Sequence, residues 1–259
     1  MLKKLIKYDL ENIFKFLIIF YSLALFFAIL TRIFNNFDNS LILVIIHNIL
    51  NGITISMIFN IIINNLMRLW IRFKNNFYGD ESYLTHTLPV TKKTLYQAKA
   101  LTAIISLFAS FIVIGLTLFI AGHIDTIKTF LIPINNIYGN TFIKILVLLL
   151  FILCLEFGNI LQSGYTGIIL GHRMNNLKTG YSVLFGFITF LITQLFTVLS
   201  LFIIAIFNTE IMALFTNNTS VTLEFIETTI NMALIIYTSI LIILYFINVK
   251  IFKQGVNVD

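Results

Sequence analysis

The side chains that could do chemistry are few and widely separated. His47, His86, His123 and His172 fall in different segments, and no HExxH pair or carboxylate-rich cluster accompanies them. Neither metal-assisted hydrolysis nor paired acid–base catalysis is indicated. Cys154, the single cysteine, lies inside an apolar run, which excludes an intrachain disulfide framework and a cysteine-based metal site. No Gly-Lys pair occurs anywhere, so no segment carries the GxxxxGK(S/T) loop that cradles nucleotide phosphates. The chain is therefore not expected to be an enzyme, and no metal or cofactor of its own is expected. Glu156 stands apart as the one acid near the middle of a long apolar stretch. A charge at that depth costs roughly 2.5–3.5 kcal/mol on insertion scales, so it is expected to face inward, near Asn159 and Gln162. Its role there would be a polar anchor, a part of a translocation route, or a proton-coupling group.

The elements that hold these residues follow from composition. Of 259 residues, 59% are hydrophobic and 11% charged, with a mean hydropathy of +0.97. A soluble domain carries about a quarter charged residues, so a water-soluble fold is excluded. Six segments reach the roughly 20 apolar residues a crossing helix needs: about Phe16 to Ile33, Leu41 to Asn64, Leu101 to Gly122, Phe142 to Leu170, Tyr181 to Phe207 and Thr228 to Asn248. The fold class expected is an all-α polytopic membrane protein with six transmembrane helices, a single transmembrane domain over residues 1–259.

The net charge of +6 then becomes a matter of topology, not of nucleic acid. Lys and Arg in short loops stay on the cytoplasmic side. Lys3, Lys4, Lys7 and Lys15 precede the first span; Arg68, Arg72, Lys74, Lys92, Lys93 and Lys99 separate spans two and three; Arg173, Lys178, Lys250 and Lys253 follow spans four and six. Only Arg32, Lys128 and Lys144 are left for the other side, so both termini are expected in the cytoplasm. Residues 1–15 place Leu2, Leu5, Ile6, Leu10, Ile13 and Leu17 on one helical face and Lys4, Lys7, Glu11 and Lys15 opposite. That pattern predicts an amphipathic helix lying on the lipid surface before the chain turns inward. A cleaved signal peptide is not favoured, because no small-x-small cleavage site follows the apolar stretch.

The longest polar segment, 66–99, is expected to be structured. Arg68 and Arg72 lie one turn apart on a continuation of span two, with Trp70 at headgroup level. Gly79 permits a break, Asp80 is placed to cap a short helix, Pro89 stops it, and Thr91 fits as the N-cap of span three. A short helix along the membrane surface would then offer Tyr83, Leu84 and Leu88 as knobs, with Asp80 and Glu81 as a polar rim.

The run Tyr78-Gly79-Asp80-Glu81-x-Tyr83-Leu84-Thr85-x-Thr87-Leu88-Pro89-Val90, followed by a hydroxyl residue and a span, resembles the first cytoplasmic loop of bacterial ABC type-2 permeases from low-GC Gram-positive bacteria. The six spans, cytoplasmic termini and basic N-terminal helix extend the resemblance over essentially the whole chain. It implies a permease that dimerises with itself or a related chain and binds a separate ATPase, which would hold the ATP and Mg. Residues 1–15 would be the family's elbow helix and Asp80 to Leu88 its coupling helix. Tyr78, Asp80, Glu81, Tyr83, Leu84, Leu88, Arg68 and Arg72 would contact the ATPase. Among such exporters the nearest type expels amphipathic toxin peptides of the phenol-soluble-modulin kind.

Polar and small residues form stripes within the spans. Span two carries Asn48, Gly52, Ser56, Asn60 and Asn64; span three Thr102, Ser106 and Ser110; span four Asn159, Ser163, Gly167 and Gly171 with Glu156 one turn before; span five Ser182, Gly186, Thr189, Thr193 and Thr197. They are expected either to line a substrate path at a dimer interface or to pack helices within one subunit. An apolar patch over Ile211 to Phe215, between Glu210 and Glu224, is expected to form a re-entrant or lid-like helix or a plain capping loop. The alternative function is an ATP-independent channel or secondary transporter with Glu156 as its coupling group.

Overall fold

The computed structural model describes residues 1–35, 40–123, 141–207, 212 and 223–254. Among them are α1 (Leu2–Phe34), α2 (Leu41–Tyr78), α3 (Ser82–Thr87), α4 (Lys92–Ala121), α5 (Thr141–Gly171), α6 (Lys178–Phe207) and α7 (Leu223–Lys253), and no strand. All but α3 are long and apolar enough to cross a hydrocarbon layer. The chain is an all-α, multi-pass membrane protein. Of the lid-like segment expected over Ile211–Phe215 only Met212 is among the described residues, and Lys128 is outside them.

Helix ends follow local chemistry, with two corrections. Thr91 caps α4 as its residue type demands, its hydroxyl accepting from the Thr94 amide at 3.2 Å. Leu88, preceding Pro89, is extended at φ −63°, ψ 136°, which ends α3. At Gly79 the amide reaches back to the Lys74 and Asn75 carbonyls, and an added Cβ would press on the Asn75 backbone at 3.0 Å, so glycine suits the close of α2. Asp80, expected as a cap, does not cap α3; Glu81 takes that position without a side-chain bond to the helix amides. The expected interfacial helix at 1–15 is not a separate element either. No Gly or Pro interrupts residues 2–34, and α1 runs unbroken for 33 residues.

The chain divides into two compact units. The first contains α1, α2 through Arg72, and α4. Ala24, Ile61 and Ile114 meet there at its core, with Phe20, Met57 and Leu118 around them. Polar clips tie the same three helices. The fully buried Asn65 amide donates to the Ser106 carbonyl at 3.1 Å and to the Ser110 hydroxyl at 2.7 Å, and accepts from the Ser106 hydroxyl at 2.5 Å. Tyr21 bonds Ser110 at 2.8 Å, and Thr31 bonds Thr54 at 2.9 Å. Such bonds suit helices in lipid, where apolar surface gives little drive to associate.

The second unit contains α2 from Phe73, α3, α5, α6 and α7. Here α5 and α6 touch through their backbones. A Cβ at Gly167 would overlap the Gly186 amide and the Ser182 carbonyl, and one at Gly171 would overlap Ser182. Helix α7 joins α5 through Asn248, which accepts from the Thr166 hydroxyl at 2.7 Å and donates to the Gln162 side chain at 3.0 Å. Ile236, Ile240 and Leu244 of α7 pack with Leu201 and Ile204 of α6.

Candidate functional site

In the second unit, α3 sits on an aromatic mount. Phe73 stacks on Tyr165 with ring centroids 4.2 Å apart, and Phe77 meets Phe252 edge-on at 4.7 Å. Both phenylalanines are fully buried. Three contacts fix α3 to this base. The Asn76 amide donates to the Glu81 carboxylate at 2.6 Å, His86 Nε2 lies 3.2 Å from the Phe77 carbonyl, and the buried Ser82 donates its amide to the Gly79 carbonyl at 2.9 Å. With its inner side so occupied, α3 leaves Tyr83 76% and Leu84 69% exposed; Leu88 and Asp80 are exposed as well. The result is a short, anchored helix presenting apolar side chains outward.

Not every residue expected on this surface is there. Tyr78 turns inward, 8% exposed, and stacks on His172 at 4.4 Å. It follows Phe77 on the buried side of the helix end, so it supports the mount and offers nothing to a partner. Arg68 and Arg72 belong to the first unit and engage α1. Arg68 donates to Asn12 at 2.7 Å and lies over the Phe16 ring at 5.2 Å. Arg72 donates to the Asp9 carboxylate at 3.2 Å. Lys99 completes that cluster, its ammonium 2.6 and 2.7 Å from the two Asp9 oxygens. Asp9 is 6% exposed and Lys99 7%. Neither Asp9 nor Lys99 stands out by motif, yet Asp9 lies in register with Ile13 and Leu17 on the buried face of α1. An acid inside an apolar stripe was the available signal.

The intramembrane residues divide sharply. On α2, Asn48 and Ser56 are exposed and Asn60 half-buried, and Asn60 and Asn64 donate back to their own helix at 3.0 and 2.9 Å. Among the described residues, none buries Asn48 or Ser56; the buried polar residues of α2 in this stretch are Thr54 and Asn65. On α6, Ser182, Thr193 and Thr197 are buried, and Thr189 and Thr193 bond carbonyls of their own helix at 2.7 Å. On α5, Ser163 donates to the Asn159 carbonyl at 2.9 Å. Glu156 is half-buried and accepts from Gln194 of α6 at 2.9 Å, with Tyr237 of α7 beside the same carboxylate. Asn159 instead donates to the Tyr237 carbonyl at 3.2 Å, and Gln162 pairs with Asn248, so the polar neighbours expected for Glu156 bond elsewhere. No three His, Cys, Asp or Glu side chains converge among the described residues.

His172, just beyond α5, carries a pH signature. It is 5% exposed and its Nδ1–H donates to the Ile168 carbonyl at 2.9 Å. Burial lowers its pKa below the usual imidazole value, and the nearby charges of Lys74 and Lys178 add to the lowering, opposed by the Ile168 bond. The unfolded chain therefore takes up the proton first. Stability from neutral His172 is complete above the ordinary imidazole pKa and is lost as pH falls through the folded-state value. His172→Gln is expected to flatten the loss of thermal stability between about pH 7 and pH 5. Thermal unfolding of the detergent-solubilised chain measures this, and an unchanged acid-side slope contradicts it.

Set against protein-family models, curated proteins and solved structures, the chain matches none.

Proposed function

We propose that this chain is the membrane-spanning subunit of an ATP-driven exporter, of the ABC type-2 permease kind, residing in a bacterial plasma membrane with both termini in the cytoplasm. The observation that carries the reading is α3. A six-residue helix has no stability of its own, yet it is clamped on its inner side and keeps Tyr83 and Leu84 outward. Large apolar side chains on a rigid polar-rimmed mount are what a partner protein uses as anchors. If ATP drives transport, the ATPase is a separate chain, because this sequence holds no phosphate-binding loop.

The work of such a subunit is mechanical. ATP-driven closure of the ATPase pushes on α3, and α2, which leads through Gly79 into that helix, transmits the displacement into the spans. The exposed Asn48 and Ser56 on α2, with the half-buried Asn60 beside them, suit contact with a second permease copy or a polar path between copies. The substrate class is amphipathic or hydrophobic, a peptide toxin or antimicrobial peptide. An affinity tag on this chain, expressed in its native membrane, is expected to bring down a stoichiometric ATPase that lacks spans and hydrolyses ATP in the complex. Recovery of an active transporter with no such partner refutes the reading and favours the ATP-independent carrier.

A further inference from the structure

An open groove of about 460 Å³ runs along the polar end of α1, lined by Lys3, Ile6, Lys7, Leu10, Glu11 and Phe14. It lies beside the face that buries Asp9, Ile13 and Leu17 within the first unit. Ile6, Leu10 and Phe14 recur at every fourth residue, are half-buried, and form an apolar strip; the exposed Ile18 prolongs it into the span. Lys3 and Lys7 are exposed and one turn apart at the outer end of that strip. Among the described residues Lys3 has no acidic partner, and Lys7 has the exposed Glu11 carboxylate at 3.8 Å, a surface pair of little strength. Phe14 stands about 10 Å further along the helix than Lys7, toward the hydrocarbon.

We infer that this groove is a binding site for an anionic phospholipid, with the phosphodiester held by Lys3 and Lys7 and an acyl chain laid along Leu10, Phe14 and Ile18. The order of groups along the helix carries the inference. Cations at the water-facing end followed by an apolar strip running into the span repeat, in sequence, the headgroup and chain of a phospholipid. A free phosphate has no use for the strip, and a bare hydrocarbon has none for the lysines. Charge selects among lipids. Two lysines and one glutamate leave the groove one net positive charge, which the single negative charge of a phosphatidylglycerol headgroup answers. A zwitterionic headgroup brings its own ammonium on the water side of the phosphate, beside Lys3, whereas Glu11 lies on the hydrocarbon side of Lys7. Ammonium-to-phosphate hydrogen bonds are the charge-assisted kind, so the two lysines give the site its strength. The site does not depend on the ATPase reading and is tested without any ATPase present.

The test places the full chain in nanodiscs of phosphatidylcholine doped with a phosphatidylglycerol whose acyl chain bears a photoactivatable diazirine. Crosslinks mapped by mass spectrometry are expected at positions 6, 10, 14 and 18. Lys3→Gln with Lys7→Gln is expected to lower this labelling about thirtyfold, the combined factor for two lysines near a headgroup. Lys4→Gln with Lys15→Gln removes the same charge from the same helix outside the groove and is expected to leave labelling near the wild-type level. Glu11→Gln is expected to raise it. All five side chains are exposed, so helicity and elution should not change in any variant. Excess unlabelled phosphatidylglycerol should suppress the crosslinks, and phosphatidylethanolamine or inorganic phosphate should leave them in place. Equal losses from the two lysine pairs would mean diffuse attraction to an anionic surface and overturn the inference. So would absence of crosslinks along the strip, or suppression by phosphatidylethanolamine or inorganic phosphate.

Discussion

Gly167→Val is expected to abolish the α5–α6 contact and with it the yield of folded protein. A Cβ at position 167 meets the Gly186 amide and Cα and the Ser182 carbonyl, all backbone atoms. Overpacking costs about 1–3 kcal/mol where side chains can rearrange, and more where they cannot. Here the helices themselves must move apart. That separation would also break the burial of Ser182, Thr193 and Thr197. Gly158 and Gly115 are the internal comparisons. At Gly158 an added methyl meets only the Cδ1 tip of Leu241, and at Gly115 it meets nothing within 4 Å. Alanine is expected to be tolerated at 158 and neutral to stabilising at 115, where helix propensity favours it by about 1 kcal/mol. Size-exclusion profiles and thermal unfolding of the solubilised variants measure the series. A Gly167→Val protein as stable as the Gly115→Ala protein contradicts the close approach.

The second large effect is at Asp9. Its carboxylate joins Lys99 and Arg72, and Asp9 and Lys99 are both buried. Removing one partner of a buried ion pair costs about 3–5 kcal/mol, whereas replacing a pair with apolar groups of similar volume is close to neutral. Asp9→Leu is therefore expected to destabilise severely, and Asp9→Leu with Lys99→Leu to recover most of the loss. Arg72 retains its route to solvent, with about a fifth of its side chain exposed. Unfolding in a denaturing detergent series reads the cycle. Equal losses in the single and double variants would mean that side-chain packing, not charge, holds α1 to α2 and α4. The exposed Lys7–Glu11 pair, 3.8 Å apart on α1, is expected to matter little by comparison, as surface pairs do.

These contacts show what a single sequence can and cannot disclose. The six spans were legible because runs of about 20 apolar residues between polar loops are required by the hydrocarbon itself. The stops around α3 were legible because Gly79, Pro89 and Thr91 each impose a local backbone rule. Helix continuity was not: hydropathy marks where a span leaves lipid, not where a helix stops, so α1 and α2 run well past their apolar cores. Nor was the rotation of the α2 end, which buries Phe73, Phe77 and Tyr78 together and removes Tyr78 from the outward surface. Pairing across long separations was hidden altogether. Asp9 and Lys99 lie 90 residues apart, and Glu156 finds Gln194 instead of its helical neighbours. The polar stripes looked alike in sequence, yet packing buries most of the α6 stripe, while Asn48, Gly52 and Ser56 of the α2 stripe stay exposed among the described residues.

The measurement that reaches the proposal most directly is recovery of the ATPase with Leu84→Asp. Leu84 is 69% exposed and makes no part of the aromatic mount, so the substitution leaves the spans and the anchoring of α3 intact. A charge at a central apolar anchor costs about 2 kcal/mol or more, a loss of at least roughly thirtyfold in affinity. The tagged variant should insert and elute as wild type does, with the ATPase and its ATP hydrolysis gone from the complex. A variant that retains the ATPase at the wild-type ratio contradicts the seat of partner binding on α3.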